Sequence, residues 1–157
     1  MNVRQARLAE TFETIGGPMA RLGSSLRDDG DSLAKAEQGK SRLDLLATDA
    51  FLQRFQQVAD LALRKLFPQL LAALESSDAR HPLGAVLDRL DGYEILSDVP
   101  WWLALNEIRN RLIHEYAMTP PERAEEIGLA WIAAGRLHAE LTRIKNNSDI
   151  VKGLFSA

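Results

Sequence analysis

The stretch SRLDLLATDAFLQRFQQVADLALRKLFPQLLAALE, residues 41–75, decides how the rest of the chain is read. Leu43, Ala47, Ala50, Phe51, Phe55, Val58, Ala62, Leu66, Leu70 and Leu74 recur mostly at steps of three and four. That is the period of an amphipathic helix. Ser41 is placed to cap the helix, with Asp44 three residues on in a box-like arrangement. Pro68 lies inside the pattern, so a kink or a division into two helical pieces is expected there.

The same period extends in both directions. Leu8, Phe12, Ile15, Met19, Leu22 and Leu26 form an earlier stripe that stays in phase across Gly16-Gly17-Pro18. A kinked helix or two collinear helices would both explain that. Arg27 to Lys40, with its Asp and Gly residues, reads as an exposed connection. Beyond Ser76-Ser77-Asp78, Leu83 to Leu90 offers a short helix closed by Asp91-Gly92. Asp98 or Val99 begins the next helix, with Pro100 in its first turn and Trp101, Leu105, Ile108 and Leu112 as its core stripe. Met118 to Glu122 stops it and starts the last helix, where Thr119 and Glu122 form a capping box. Ile127, Trp131, Ala134, Leu137, Leu141 and Ile144 line that helix up to Asn146-Asn147. The tail to Ala157 is left open as frayed or docked. No segment carries hairpin chemistry. The expected fold is all-α, an up-and-down bundle of four main helices plus one short one, in a single domain over residues 1–157.

Composition narrows the function. There is no Cys among 157 residues, which excludes disulfides, cysteine nucleophiles and thiolate metal sites. The three His, at 81, 114 and 138, are too scattered to suggest a metal cage, and no cofactor is implied. No apolar run approaches the roughly 20 residues of a membrane span, and the polar N-terminus shows no secretory signal. A cytoplasmic protein is expected. The formal charge is −3 and no basic tail stands out, so any contact with RNA must be local.

One constellation carries chemistry: Glu107-Ile108-Arg109-Asn110-Arg111-Leu112-Ile113-His114-Glu115-Tyr116. Asn110 and His114 are four apart and therefore neighbours on a helix. Arg109 and His114 are five apart, roughly 140° around a regular helix. They could meet on one phosphate if the helix loosens before Thr119, or if two copies meet across a twofold axis. His can accept the proton of a 2′-hydroxyl or protonate a leaving oxygen near neutral pH. Arg can hold the phosphate as negative charge builds. Asn110 could orient the imidazole or touch a phosphate oxygen. The Tyr116 phenol could bind a base, donate a proton or accept a modification. The bland reading makes Glu107 and Arg111 an exposed ion pair, and His114 a cation favoured near a helix C-terminus.

The string Arg-Asn-x-x-x-His-x-Tyr, at the end of the penultimate helix of a small bundle, resembles the HEPN superfamily, most of all its HepT-like toxins. Arg109, Asn110, His114 and Tyr116 are the matching positions, and the helix order over about residues 43 to 145 is similar. The resemblance implies a homodimer with a composite cleft, acting as a metal-independent endoribonuclease toxin. It also implies a cognate minimal nucleotidyltransferase antitoxin that transfers AMP to Tyr116. Two rival readings are a catalytically silent adaptor for such a nucleotidyltransferase and a dimeric structural protein.

Among other residues, Trp101 is expected in the core and Trp102 at a dimer or loop contact, with base stacking as the rarer use of the pair. His138 is expected on a solvated face, the alternative being an extended RNA path flanked by Arg136 and Arg143. His81 reads as a loop residue. Gly16-Gly17 lacks the context of a phosphate-binding loop.

Overall fold

Asn2 starts the first helix by a reciprocal pair of hydrogen bonds. Its side chain accepts from the Gln5 N–H, and the Gln5 side chain accepts from the Asn2 N–H, each at 2.9 Å. The structure, a computed structural model, describes residues 2–30, 42–114, 118–147 and 149–155, without the side chains of 42–44, 147, 149, 150 and 155. Ser41 and the side chain of Asp44, the expected cap of the second helix, therefore lie outside the described residues.

Helix α1 (Val3–Asp28) runs as one element through Gly16-Gly17-Pro18. Pro18 offers no N–H to the Thr14 carbonyl, but the loss of one bond does not outweigh the stripe around it. Leu8, Phe12, Ile15, Met19 and Leu22 are all buried. At roughly 1.5–3 kcal/mol for each large apolar side chain removed from water, that stripe exceeds the cost of the proline.

Helix α2 (Arg42–Leu61) leads directly into a π-helical turn (Ala62–Leu66) and helix α3 (Phe67–Glu75). Pro68 does divide the long helix, and it does so without a loop. The Phe67 N–H donates to the Ala62 carbonyl, five residues back, so the turn widens immediately before the residue whose ring would crowd a tighter one. Ser76 ends α3 in the left-handed region, at φ 49°.

Helix α4 (Leu83–Gly92) and helix α5 (Val99–Ile113) follow. Asp98 precedes α5 with φ 59° and makes no side-chain cap; its carboxylate accepts from Arg136 at 2.9 Å instead. Helix α6 (Pro120–Asn147) starts at Pro120 as expected, and the Glu122 N–H donates to Thr119 Oγ1 at 3.3 Å, one half of the expected capping box. The tail forms helix α7 (Asp149–Phe155), which is docked: Val151 is buried in the core cluster.

Helix α1 packs on α2, α3 and α6, while α5 packs on α4, α6 and α2. The described residues are helical throughout their regular structure, and the chain is an all-α helical bundle. Phe51, Phe55, Phe67 and Trp102 are the largest side chains fully buried at its centre. Among the described residues, no helix is long and apolar enough to cross a membrane.

The two tryptophans exchange their expected places. Trp102 is wholly buried, edge-on to Phe67 at 5.0 Å, and its indole N–H donates to the Ser97 carbonyl at 3.2 Å. Trp101 is only partly buried, and the Arg136 guanidinium lies over its ring at 4.3 Å. Steps from Trp101 or from Trp102 to Leu105 both suit a helix. The buried indole needs an acceptor, and Ser97 supplies one. With Arg136 on the Trp101 ring, that face is already covered.

Candidate active site

Helix α5 carries the motif and ends earlier than its sequence suggests, at Ile113. His114 is the C-cap, with φ −100° and ψ 28°, and its N–H bonds back three residues to Arg111. The helix therefore loosens immediately at the histidine. Glu115, Tyr116 and Ala117 lie outside the described residues, so the position of Tyr116 is not part of the geometry below.

Arg109 turns toward α2. Its Nη2 donates to Asp60 Oδ2 at 2.9 Å, and its Nε lies 2.7 Å from Asp60 Oδ1. The Nε contact is an ion pair and not a hydrogen bond, although the nitrogen is buried. The remaining terminal nitrogen, Nη1, donates to Asn110 Oδ1 at 3.1 Å. Asp60 is shared: its Oδ1 also accepts from Arg64 Nη1 at 3.2 Å, and Arg64 Nη2 donates to Asn106 Oδ1 at 3.1 Å. A polar chain thus runs Asn106, Arg64, Asp60, Arg109, Asn110 between α5 and the α2–π junction.

Asn110 is where that chain reaches open space. It lines a cleft of about 330 Å³ together with His114, Arg111, Met118 and Glu122. The structure brings Asn110 and His114 together and leaves Arg109 one hydrogen bond behind, held by Asp60 and not itself lining the cleft. The amide oxygen of Asn110 is used by Arg109, which leaves its NH2 group as a donor at the cleft.

The Glu107–Arg111 pair of the bland reading is absent among the described residues. Arg111 reaches across to α6, where its Nε donates to Glu126 Oε1 at 2.7 Å. His138 does not stand on a fully solvated face. It is half-buried against α1, so close that a methyl group on Gly23 would come within 3.0 Å of its Nε2. His81 lies in the segment between α3 and α4, as expected. Gly16 and Gly17 are internal to α1, consistent with the absence of a phosphate loop there. No group of three or more His, Asp or Glu residues able to hold a metal ion occurs among the described residues.

Asp60 is the residue that sequence reasoning missed. The available signal was a carboxylate between Ala59 and Leu61, four residues before Arg64. Its partner stands 49 positions away, and helical period alone cannot supply that pairing. Compared with protein-family models, curated proteins and solved structures, the chain shows no match.

Proposed function

We propose that the chain is a homodimeric endoribonuclease toxin that cleaves RNA without a metal and is controlled by a nucleotidyltransferase antitoxin. The observation that carries this reading is the link from Asp60 through Arg109 to Asn110, at the wall of the cleft that also holds His114. A carboxylate that grips a guanidinium through two of its nitrogens fixes its orientation. Asn110 then joins that cation to a cleft containing a group able to move protons near neutral pH. In the proposed reaction His114 takes the 2′-hydroxyl proton or protonates the departing oxygen. Arg109 and Asn110 stabilise the charge that builds on the phosphate. A second copy supplies the complementary Arg and His across the twofold axis.

Tyr116 is the proposed point of control. AMP on its oxygen would add a negative phosphate and a bulky base two residues from His114, occupying arginines and blocking entry. Cytoplasmic placement belongs to the same proposal.

One observation favours the adaptor reading. Arg109 already has an intramolecular carboxylate partner, as a purely structural arginine would. The discriminating experiment incubates purified protein, shown by mass spectrometry to be unmodified, with total RNA in the presence and absence of a chelator. Cleavage in both conditions, lost in a folded His114→Ala variant, is the expected result. No cleavage, together with tight binding to a co-purified nucleotidyltransferase, would establish the adaptor instead.

A further inference from the structure

The motif cleft contains an arginine other than the one in the motif. Arg111 lines it beside Asn110 and His114, whereas Arg109 stands one hydrogen bond behind. The Arg111 Nε donates to Glu126 Oε1 at 2.7 Å. The Glu126 side chain is only 15% exposed and does not line the cleft, so it holds the guanidinium from behind. Glu126 belongs to α6, and the tether therefore spans two helices that pack on each other. A charge-assisted bond of that length fixes where the cation points.

The tether leaves most of the cation's donors unused. A guanidinium carries several N–H groups, and the Nε bond consumes one of them. Nη1 and Nη2 make no hydrogen bond or ion pair to any described residue. Their shared edge can grip two oxygens of one phosphate in parallel. Asn110 adds its NH2 group to the same cleft. Glu122, the carboxylate in this lining, is exposed, where water and salt screen its repulsion of an anion.

A larger opening shows the contrast. It encloses about 400 Å³ between the first turns of α1, helix α3 and the segment that leads to α4, and Arg4, Arg7, Arg64 and Arg80 line it. Arg4 is taken up there by a two-point contact with Asp78, and Arg64 by Asp60 and Asn106. Arg7 and Arg80 are exposed, with no carboxylate among the described residues holding either in place. Only at Arg111 do a fixed guanidinium, an unused edge and the motif histidine's cleft coincide among these lining arginines.

We propose that Arg111 grips the backbone of single-stranded RNA at a phosphodiester beside the one on which His114 acts, with Glu126 as the residue that aims it. Arg111 and His114 are three positions apart, a spacing that makes side chains neighbours at the end of a helix. The proposal takes its ligand from the nuclease reading and adds a binding contact outside the four matching positions.

Fluorescence anisotropy with a short single-stranded 2′-O-methyl RNA tests it, over a series of salt concentrations. This probe has no 2′-hydroxyl to lose a proton, so binding is measured apart from cleavage. Arg111 is 45% exposed, and Arg111→Ala is expected to stay folded. It should bind about tenfold more weakly at low salt, with the slope of log affinity on log salt shallower by about 0.7, the share of one phosphate contact. That variant strands the Glu126 carboxylate, so Arg111→Ala/Glu126→Gln is measured beside it and should show the same loss. Arg27→Ala removes an equal charge on α1, away from the cleft, and should bind as the wild type does. Cleavage of the unmodified RNA is scored separately. Wild-type binding that depends on Arg111 without any cleavage would remove the nuclease reading and leave this contact standing. No binding by the wild type, unchanged affinity and slope in both Arg111 variants, or equal weakening by Arg27→Ala would overturn the proposal, whatever the cleavage result.

Discussion

Arg109 is the residue whose role separates catalysis from architecture. Its side chain is 18% exposed and held by Asp60, so Arg109→Ala should cost about 1 kcal/mol of stability as well as cleavage. A cycle of Arg109→Ala, Asp60→Ala and the double variant, measured by urea denaturation, should return a coupling energy of roughly 1 kcal/mol. RNA cleavage measured on the same folded proteins should fall much further, since positioning of a phosphate-binding cation is sensitive to small displacements. Stability loss without any loss of cleavage would assign Arg109 to the fold alone. Tyr116→Phe is expected to retain cleavage yet escape silencing by the nucleotidyltransferase and ATP. Mass spectrometry should find AMP on the wild type and none on the variant; equal labelling of both would sink this route of control. The neighbourhood of Asn110 and His114 was legible in the sequence because they are four residues apart, with His114 as the C-cap of the helix that carries Asn110. The partner of Arg109 was not, because Asp60 enters from α2, and only the packing of α2 on α5 brings it there.

Helices were legible at a coarser grain than their ends. Apolar period identified every main element, since it reflects burial of a whole face. It did not show that α5 stops at Ile113, because the polar residues beyond it contribute nothing to that period. Nor could it choose between Trp101 and Trp102, which fit the stripe equally well until the indole N–H finds Ser97. That choice has a measurable consequence. Trp102→Ala should destabilise the fold by about 3–5 kcal/mol, whereas Trp101→Ala should cost no more than about 1–2 kcal/mol. Chemical denaturation of the two variants checks the order, and a larger loss at Trp101 would contradict the packing described. The π turn was also invisible beforehand. Pro68 signalled an interruption, but a break, a kink and a widened turn share the same sequence sign.

For the molecule as a whole, the proposed dimer directs attention to the outer side of α5. Leu103 and Ile113 stand 40% and 41% exposed on the helix that carries the motif. Apolar side chains left in water beside polar motif residues suit contact with a second copy of the same helix. Sedimentation of the purified chain is expected to give a dimer, and Ile113→Glu is expected to shift it to monomer with the helical circular-dichroism signal unchanged. A wild-type monomer at high concentration, or a variant that remains dimeric, would remove α5 from the interface.

The shared oxygen of Asp60 has a consequence for communication across the bundle. Arg64 reaches it from the wall of the arginine-rich cavity, and Arg109 reaches it from behind the motif cleft. The carboxylate holds both cations at once, Arg64 on Oδ1 and Arg109 by its hydrogen bond on Oδ2. Anything that draws Arg64 outward leaves the carboxylate more fully to Arg109, and anything that draws Arg109 toward a phosphate returns it to Arg64. Thermodynamic linkage makes such an effect reciprocal: whatever factor one occupant imposes on the other's affinity, it receives in return. Two openings with no lining residue in common are thereby joined through one carboxylate.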